Sequence, residues 1–422
     1  MLHSECEAVE HWRLPPGGVL ASTPQHGVEE AVLVLNGELR LTTESAERVL
    51  RAGQLALLPH GAQARLTAEE PRPGCSSCGR SPPPSPAGCR PASPNWSDAR
   101  RAVRRGGSAV HRPGQESEHI MRAVVLTSFG GPEGLSVSEI AEPAGPDPDG
   151  VLIRTAAAAV NPVDLQTRGG LHAGHSAFRP PMVLGWDVAG TVTAVGEQVT
   201  RFRPGDRVVA MSAQMATGRG TYAETVALPA DIVAPAPRTV ELTTAAGLPL
   251  ASLAGVQALD AFDLPAGATL LVTGAVGAVG GMAVQLAKLR GWRVVAQVRS
   301  ARDEDAARAL GADRVVDETG LSPRTVDGLL ETAGLPGAIS AVRDGGRVVS
   351  IVPTRVPAAE RGIRVTVSHV EQDGPRLAEM AALVDASKLR LRTSKQLGFE
   401  DAAEAHRLLE AGGVRGKLLL LP

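Results

Sequence analysis

Between Leu270 and Lys288 the chain reads LLVTGAVGAVGGMAVQLAK, an apolar strand pattern that runs through glycines directly into an amphipathic helix. Few local sequences constrain a fold as tightly. Thr269 to Thr273 is a short apolar run, and Val279, Ala283, Leu286 and Leu289 recur behind the turn at helical spacing. Arg293 to Val298 supplies a second run at the distance of a βαβ unit, so the segment predicts part of a parallel sheet in an α/β fold. Glycine lets a backbone turn sharply and approach a ligand, and the unpaired N–H groups of a helix start favour negative charge. Gly274, Ala275, Val276, Gly277, Ala278, Val279 and Gly280 are therefore candidate contacts to the pyrophosphate of a dinucleotide. Against the pattern G-x-G-x-x-G, Ala275 holds the first glycine position. A glycine turn that binds nothing is the alternative.

The end of the second strand bears on which dinucleotide. An NAD site usually places Asp or Glu there for the ribose hydroxyls, whereas an NADP site substitutes groups that tolerate a 2′-phosphate. Here Gln297-Val298-Arg299-Ser300-Ala301-Arg302 contains no carboxylate before Asp303. Arg299, Ser300 and Arg302 favour NADPH, because arginine pairs with phosphate in bidentate geometry. These arginines also fit a solvated loop, since this chain uses arginine almost everywhere in place of lysine.

A chain of 422 residues holds two or three domains, and its net charge of −2 gives no field that draws it to nucleic acid or an anionic membrane. The N-terminus has no basic stretch followed by an apolar run, and the weakly polar segment Ala245 to Leu259 contains Pro249. A cytoplasmic protein without a membrane span is the expectation. All four cysteines, Cys6, Cys75, Cys78 and Cys89, lie in the first quarter of the chain. Cys75-x-x-Cys78 has no histidine at ligand spacing nearby, so no metal site is expected there.

Three textures divide the chain. Residues 1 to about 70 alternate short apolar runs with turns: Ala31 to Leu35, Asn36-Gly37 as a tight hairpin signal, Glu38 to Thr42, then Gln54 to Leu58. Residues 71 to 120 mix Pro, Gly, Ser and Arg, bury too little apolar surface to order themselves, and read as a disordered linker. Its cluster Arg100, Arg101, Arg104 and Arg105 has no interleaved aromatics and reads as a solvated run. From Met121 the strand runs Met121 to Leu126, Val151 to Arg154 and Gly190 to Val195 open a compact region, and helix–strand alternation takes over near residue 246.

The first region resembles a cupin, with Gly18, His26, Glu30 and Gly37 at the spacing of one cupin motif and Gly53, Pro59 and Gly61 at that of the second. Pro24 and Ala64 stand where cupins usually carry histidine, so the resemblance implies a cupin-like β segment without metal chemistry. From Met121 onward the chain is similar to the medium-chain dehydrogenase/reductase superfamily, in its zinc-free, quinone-oxidoreductase-like branch. The residues that carry this include Asn161-Pro162-Val163-Asp164, Gly185-Trp186-Asp187, Gly205-Asp206, Gly220-Thr221-Tyr222-Ala223-Glu224, the glycine turn and the closing Arg415-Gly416-Lys417. The resemblance implies a GroES-like β-rich catalytic domain over 121–245, completed by 386–422, and a Rossmann doubly wound parallel sheet that binds NADP over 246–385. Members usually begin near the strand that opens at Met121, which makes residues 1–120 an appendage to that pattern.

In metal-dependent members, Asn161 stands where a zinc-binding cysteine would be and Trp186 where a histidine would be, so the resemblance implies no metal. The implied chemistry is direct hydride transfer from NADPH to a conjugated carbonyl, quinone or other activated alkene, since a simple alcohol needs a base or Lewis acid. Asn161 is the candidate catalytic residue; in similar enzymes it lies beside the nicotinamide and donates to substrate oxygen or coenzyme. Its other reading is a turn-forming Asn before Pro162. Asp187 is expected to support the site by accepting backbone hydrogens. Gln166 and Ala254 depart from a tyrosine and a threonine common in quinone reductases, and His172 and His175 are expected in an exposed loop. A coenzyme-binding sensor or regulatory protein with little turnover is the competing function. A homodimer paired along an edge strand near Val365 to Val370 is permitted by the sequence.

Overall fold

The structure, a computed structural model, describes residues 19–22, 30–33, 38–43, 47–51, 55–58, 64–68 and 119–422, apart from 176, 177 and 318. The chain divides into two units, residues 1–111 and 112–422. The predicted linker, except for its last two residues, lies outside the described residues, as do His26 and all four cysteines.

The first unit contains β1 (Val19–Ser22), β2 (Glu30–Leu33), β3 (Glu38–Thr43), β4 (Glu47–Arg51), β5 (Leu55–Leu58) and β6 (Ala64–Ala68). They form an antiparallel sheet in the order β1-β6-β3-β4 and a separate antiparallel pair, β2-β5. Asn36-Gly37, read from the sequence as a tight hairpin signal, lies outside the described residues. Both edges of β3 are taken, by β4 and β6, so β2 finds its partner in β5 instead.

The second unit opens with β7 (Ile120–Leu126), β8 (Leu135–Ala141), β9 (Gly150–Val160), α1 (Pro162–Arg168), β10 (Met182–Val183), β11 (Asp187–Val195), β12 (Arg207–Met211), α2 (Gln214–Thr217), β13 (Thr225–Pro229) and β14 (Val233–Pro235). The short helix α3 (Leu242–Ala245) and α4 (Pro249–Asp260) lead into β15 (Thr269–Val272), α5 (Ala278–Leu289), β16 (Arg293–Gln297), α6 (Glu304–Ala309), β17 (Arg314–Val316), β18 (Val326–Glu331), β19 (Val342–Ser350) and β20 (Arg364–Val367). After α7 (Gly374–Asp385) the chain closes with β21 (Thr393–Gly398), α8 (Ala402–Ala411) and β22 (Lys417–Leu421).

β9 organises the first half. It pairs with β11, β13 and β22 in a seven-stranded sheet, and its run of alanines lets both faces pack closely. Alternate residues go to opposite sides: Ala157 and Ala159 join the cluster around α4 and α5, while Ala158 and Val160 join Leu418 and Leu420. The second half is a sheet of six parallel strands in the order β17-β16-β15-β18-β19-β20. The strand order reverses between β15 and β18, which opens a crevice at their carboxyl ends, and the glycine turn after β15 stands there. Helix α5 forms as its periodicity predicts, though Leu289, at its last position, is exposed.

By length and composition alone Leu242–Asp260 is apolar enough to cross a membrane, yet 78% of that window is buried inside the fold. Pro249 sits at the first position of α4, where its missing N–H is no loss, and the helix forms core between the two sheets.

Candidate active site

The glycine turn is shaped by three backbone constraints. Gly274 has φ +57°, and its N–H donates to Gln297 Oε1 at 3.1 Å while the Ala275 N–H donates to the Gln297 carbonyl at 3.0 Å. A Cβ at Gly280 would fall 2.3 Å from the Gly274 carbonyl oxygen, so only glycine lets the helix start this close to the turn. No side chain caps α5 at Gly277, leaving the amides of Ala278, Val279 and Gly280 without helical acceptors. Ala275 and Val276 are buried, so what they offer a ligand is backbone. This cradle of bare amides at a helix start fits a dinucleotide pyrophosphate.

Arg299, Ser300 and Arg302 gather at the carboxyl end of β16, next along the sheet from the cradle. Both arginines are exposed, and neither forms an ion pair among the described residues. The Ser300 hydroxyl accepts from the Arg302 N–H at 3.3 Å and caps the turn Ala301–Asp303. Asp303, the nearest acid in sequence, is paired with Arg415 of the C-terminal tail.

The second cluster arises from sheet register. Asp187 opposes Ala159 and Leu418 opposes Val160, so Asn161 just beyond β9, Asp187 opening β11 and Lys417 opening β22 stand side by side at one end of the sheet. All three are buried. Asn161 Nδ2 donates to the Ala159 carbonyl at 3.1 Å and to Asp187 Oδ2 at 3.0 Å, and Asn161 Oδ1 accepts from Lys417 Nζ. The neighbours fix the amide orientation: an ammonium can only donate and a carboxylate or carbonyl can only accept. Lys417 Nζ also donates to Asp187 Oδ2 at 2.8 Å. Asp187 Oδ1 accepts from the Leu250 N–H at 2.7 Å, placing the carboxylate at the amino end of α4, where the helix dipole favours it.

Beneath Asn161, Asp164 Oδ2 accepts from the Asn161 N–H at 2.8 Å and from the Tyr222 hydroxyl at 2.9 Å. Asp164 Oδ1 is buried with no partner among the described residues. Burial pushes the Asp164 carboxyl up to about 7, against the opposing pull of the Asn161 and Tyr222 hydrogen bonds. Tyr222, the chain's single tyrosine, is itself raised by burial and by Asp164. It approaches so closely that a Cβ at Gly185, whose φ is +110°, would fall 2.4 Å from its ring.

The two clusters meet at a cavity lined on one side by Ala278, Gly281 and Met282 of α5 and on the other by Arg392, Gly416 and Lys417. Asn161 thus reaches the start of α5 through Lys417. The expectation for Asp187 matches its hydrogen bond from Leu250. Lys417, Asp164 and Tyr222 lie in motifs that carry the family resemblance, and the sequence assigns them no role of their own. One signal was available: Lys417 is one of four lysines among 43 basic residues. Gln166 is half-buried, Ala254 is buried, and His172 and His175 lie near Phe178, with ring centroids 5.7 and 5.5 Å away. Burial and the neighbouring His175 lower the pKa of His172.

Fold and site together define a dehydrogenase/reductase of the nicotinamide-dependent kind. Family profiles match as "Alcohol dehydrogenase GroES-like domain" over residues 147–238, "Zinc-binding dehydrogenase" over 310–420 and "Cupin domain" over 10–74. The chain is 31% identical over 316 residues to the NADPH-dependent alkenal/one oxidoreductase of Arabidopsis thaliana, covering 72% of this chain and 80% of that one. It is 30% identical to the quinone oxidoreductase of Mus musculus, covering 72% and 98%. Among solved structures it is similar to the quinone oxidoreductase from Coxiella burnetii, with TM-score 0.67, 28% identity and coverage of 72% and 100%. An NAD-dependent alcohol dehydrogenase matches with TM-score 0.64, 33% identity and the same coverage. The chain belongs to the medium-chain dehydrogenase/reductase family, in its quinone-oxidoreductase-like branch, and is an oxidoreductase preceded by a cupin segment.

The name of one matching profile implies zinc. Among the described residues no group of three or more His, Cys, Asp or Glu could hold a metal. Trp186 is buried in the core, and Asp187 is already bonded to Lys417, Asn161 and Leu250. An amide, an indole and an engaged carboxylate do not make a zinc donor set.

Proposed function

We propose that this chain is an NADPH-dependent reductase that delivers hydride, without a metal, to conjugated carbonyls, quinones or other activated alkenes. Residues 121–245 with 386–422 serve as its catalytic part and 246–385 as its coenzyme part. The observation that carries this reading is the fixed triad Asn161, Asp187 and Lys417 set against the bare start of α5. Bound along that cleft, a reduced nicotinamide supplies the hydride. Both amide protons of Asn161 are engaged in the structure, so Asn161 acts by holding Lys417 in place. Lys417 spends two of its three ammonium protons on Asn161 and Asp187 and is one of the residues lining the cavity, and its role in this reading is to stabilise negative charge developing on substrate oxygen. An enolate or hydroquinone anion formed this way takes its proton from water, which is why activated acceptors suit the site and simple alcohols do not. Arg299, Ser300 and Arg302, whose neighbour Asp303 is paired with Arg415, support the 2′-phosphorylated coenzyme.

The test is the loss of reduced-nicotinamide absorbance with a panel of enones and quinones, run with NADPH and with NADH. Turnover with NADPH on at least one class is expected. A protein that binds NADPH and oxidises it with none of the panel sinks the reading in favour of a coenzyme sensor.

A further inference from the structure

Arg392, one residue before β21, stands against the first turn of α5. Its Nη2 donates to the Gly277 carbonyl at 2.8 Å. The guanidinium fills the volume a side chain at position 281 would take, since a Cβ on Gly281 would fall 2.2 Å from Nη2. Gly416 is confined in the same way: its Cβ would meet the Arg392 carbonyl oxygen at 2.3 Å, and the Lys417 N–H donates to that oxygen at 2.9 Å. Two glycines thus make room for one arginine.

The electrostatics of that position are unfavourable as it stands. The amino end of a helix carries partial positive charge and repels a cation. Burial lowers the pKa of Arg392, only partly opposed by Asp303, whose carboxylate is already paired with Arg415. Among the described residues no carboxylate pairs with Arg392, and it shares its cavity with Lys417 and Arg390. Lys417 has its counter-charge in Asp187, but the half-buried guanidinium and the bare helix start beside the same cavity have none between them among the described residues. A dinucleotide diphosphate supplies one.

We propose that Arg392 clamps the coenzyme diphosphate against the first turn of α5, adding a forked donor to the amides of Ala278, Val279 and Gly280. Among the described residues only one of its five N–H groups is committed, to Gly277, so the fork is free to donate to two phosphate oxygens. Arg392 leads into a strand of the β9 sheet yet touches the helix that follows β15, so the same contact ties nucleotide binding to the junction of the two sheets.

This inference rests on the coenzyme reading above, and the experiment separates the two. Affinities for NADPH, NADH and adenosine 2′-monophosphate are measured by calorimetry on the full chain and on Arg392→Gln. The diphosphate is common to both coenzymes, so Arg392→Gln is expected to weaken both by the same factor, about ten- to hundredfold, as for a lost charged hydrogen bond. The monophosphate, which lacks a diphosphate, binds both proteins equally. Gly281→Ala, which keeps the charge but drives the guanidinium away, is expected to weaken both coenzymes in parallel. If Arg392→Gln does not fold, Arg392→Lys decides, because it keeps the charge and loses the fork. Unchanged coenzyme affinity in a folded variant overturns the clamp, whereas a wild-type protein that binds neither coenzyme overturns the coenzyme reading itself.

Discussion

Lys417 and Asp187 form an ion pair 2.8 Å long with 4% and 0% of their side chains exposed, joining the last strand of the chain to β11. Removing one partner from such a pair leaves an uncompensated buried charge, at a cost of about 3–5 kcal/mol, whereas removing both leaves none. Asp187→Leu is therefore expected to destabilise strongly, and Asp187→Leu with Lys417→Met to cost less than the sum of the single changes. Urea unfolding of the four proteins of this cycle measures the coupling. Additive costs would show that the pair is not coupled.

Asp164 makes stability fall as pH rises toward neutrality. Its carboxyl lies at about 7 in the fold against 3.8 in the free residue, because burial disfavours the charge. A raised carboxyl contributes stability that is complete below about 3.8 and lost as pH climbs through about 7, on the order of 4 kcal/mol in all. Asp164→Asn keeps an acceptor for Asn161 and Tyr222 but does not titrate. Melting temperatures taken from pH 4 to pH 8 should therefore fall relative to this variant in the wild type alone. Parallel curves would place the titration elsewhere.

Much of this was readable locally, and what was missed is non-local. The glycine turn, α5 and β16 form a contiguous stretch whose periodicity and glycines declare themselves. Asn161 was legible only through the motif Asn161-Pro162-Val163-Asp164 that carries the family resemblance. Lys417 lies 256 residues away and meets Asn161 only because β22 pairs with β9. Its lysine is explained by a register that no window of sequence contains. Arg392 was hidden for the same reason, its contact with Gly277 spanning 115 residues.

His406 carries the opposite pH sign from Asp164. It is fully buried on α8, edge-on to Tyr222 at 6.2 Å, and both ring nitrogens lack partners among the described residues. Burial, helped by the nearby Arg168 guanidinium, lowers its pKa from 6.5 to about 3. A depressed histidine contributes stability that is complete above 6.5 and lost as pH falls toward about 3. His406→Leu removes two unpaired polar atoms from the core, so it should match or exceed wild-type stability at neutral pH by about 1–3 kcal/mol and resist acid better. Urea midpoints at pH 7 and pH 4 check both limbs. A variant less stable than wild type at both would show that the imidazole is bonded after all.

Coenzyme choice turns on the end of β16. Arg299 and Arg302 are exposed and unpaired among the described residues, and Arg415 neutralises Asp303, the acid that would repel a 2′-phosphate. The 2′-phosphate is the only group that distinguishes NADPH from NADH. Arg299→Gln with Arg302→Gln is therefore expected to weaken NADPH by about ten- to hundredfold while leaving NADH unchanged. Because both side chains face solvent, added salt should narrow the wild-type preference, as screening predicts. Titration of both coenzymes at low and high ionic strength reads the two effects together. A preference for NADPH that survives the double substitution would move the 2′-phosphate away from these arginines, and a wild-type preference for NADH would make them the solvated loop residues that the sequence equally allows.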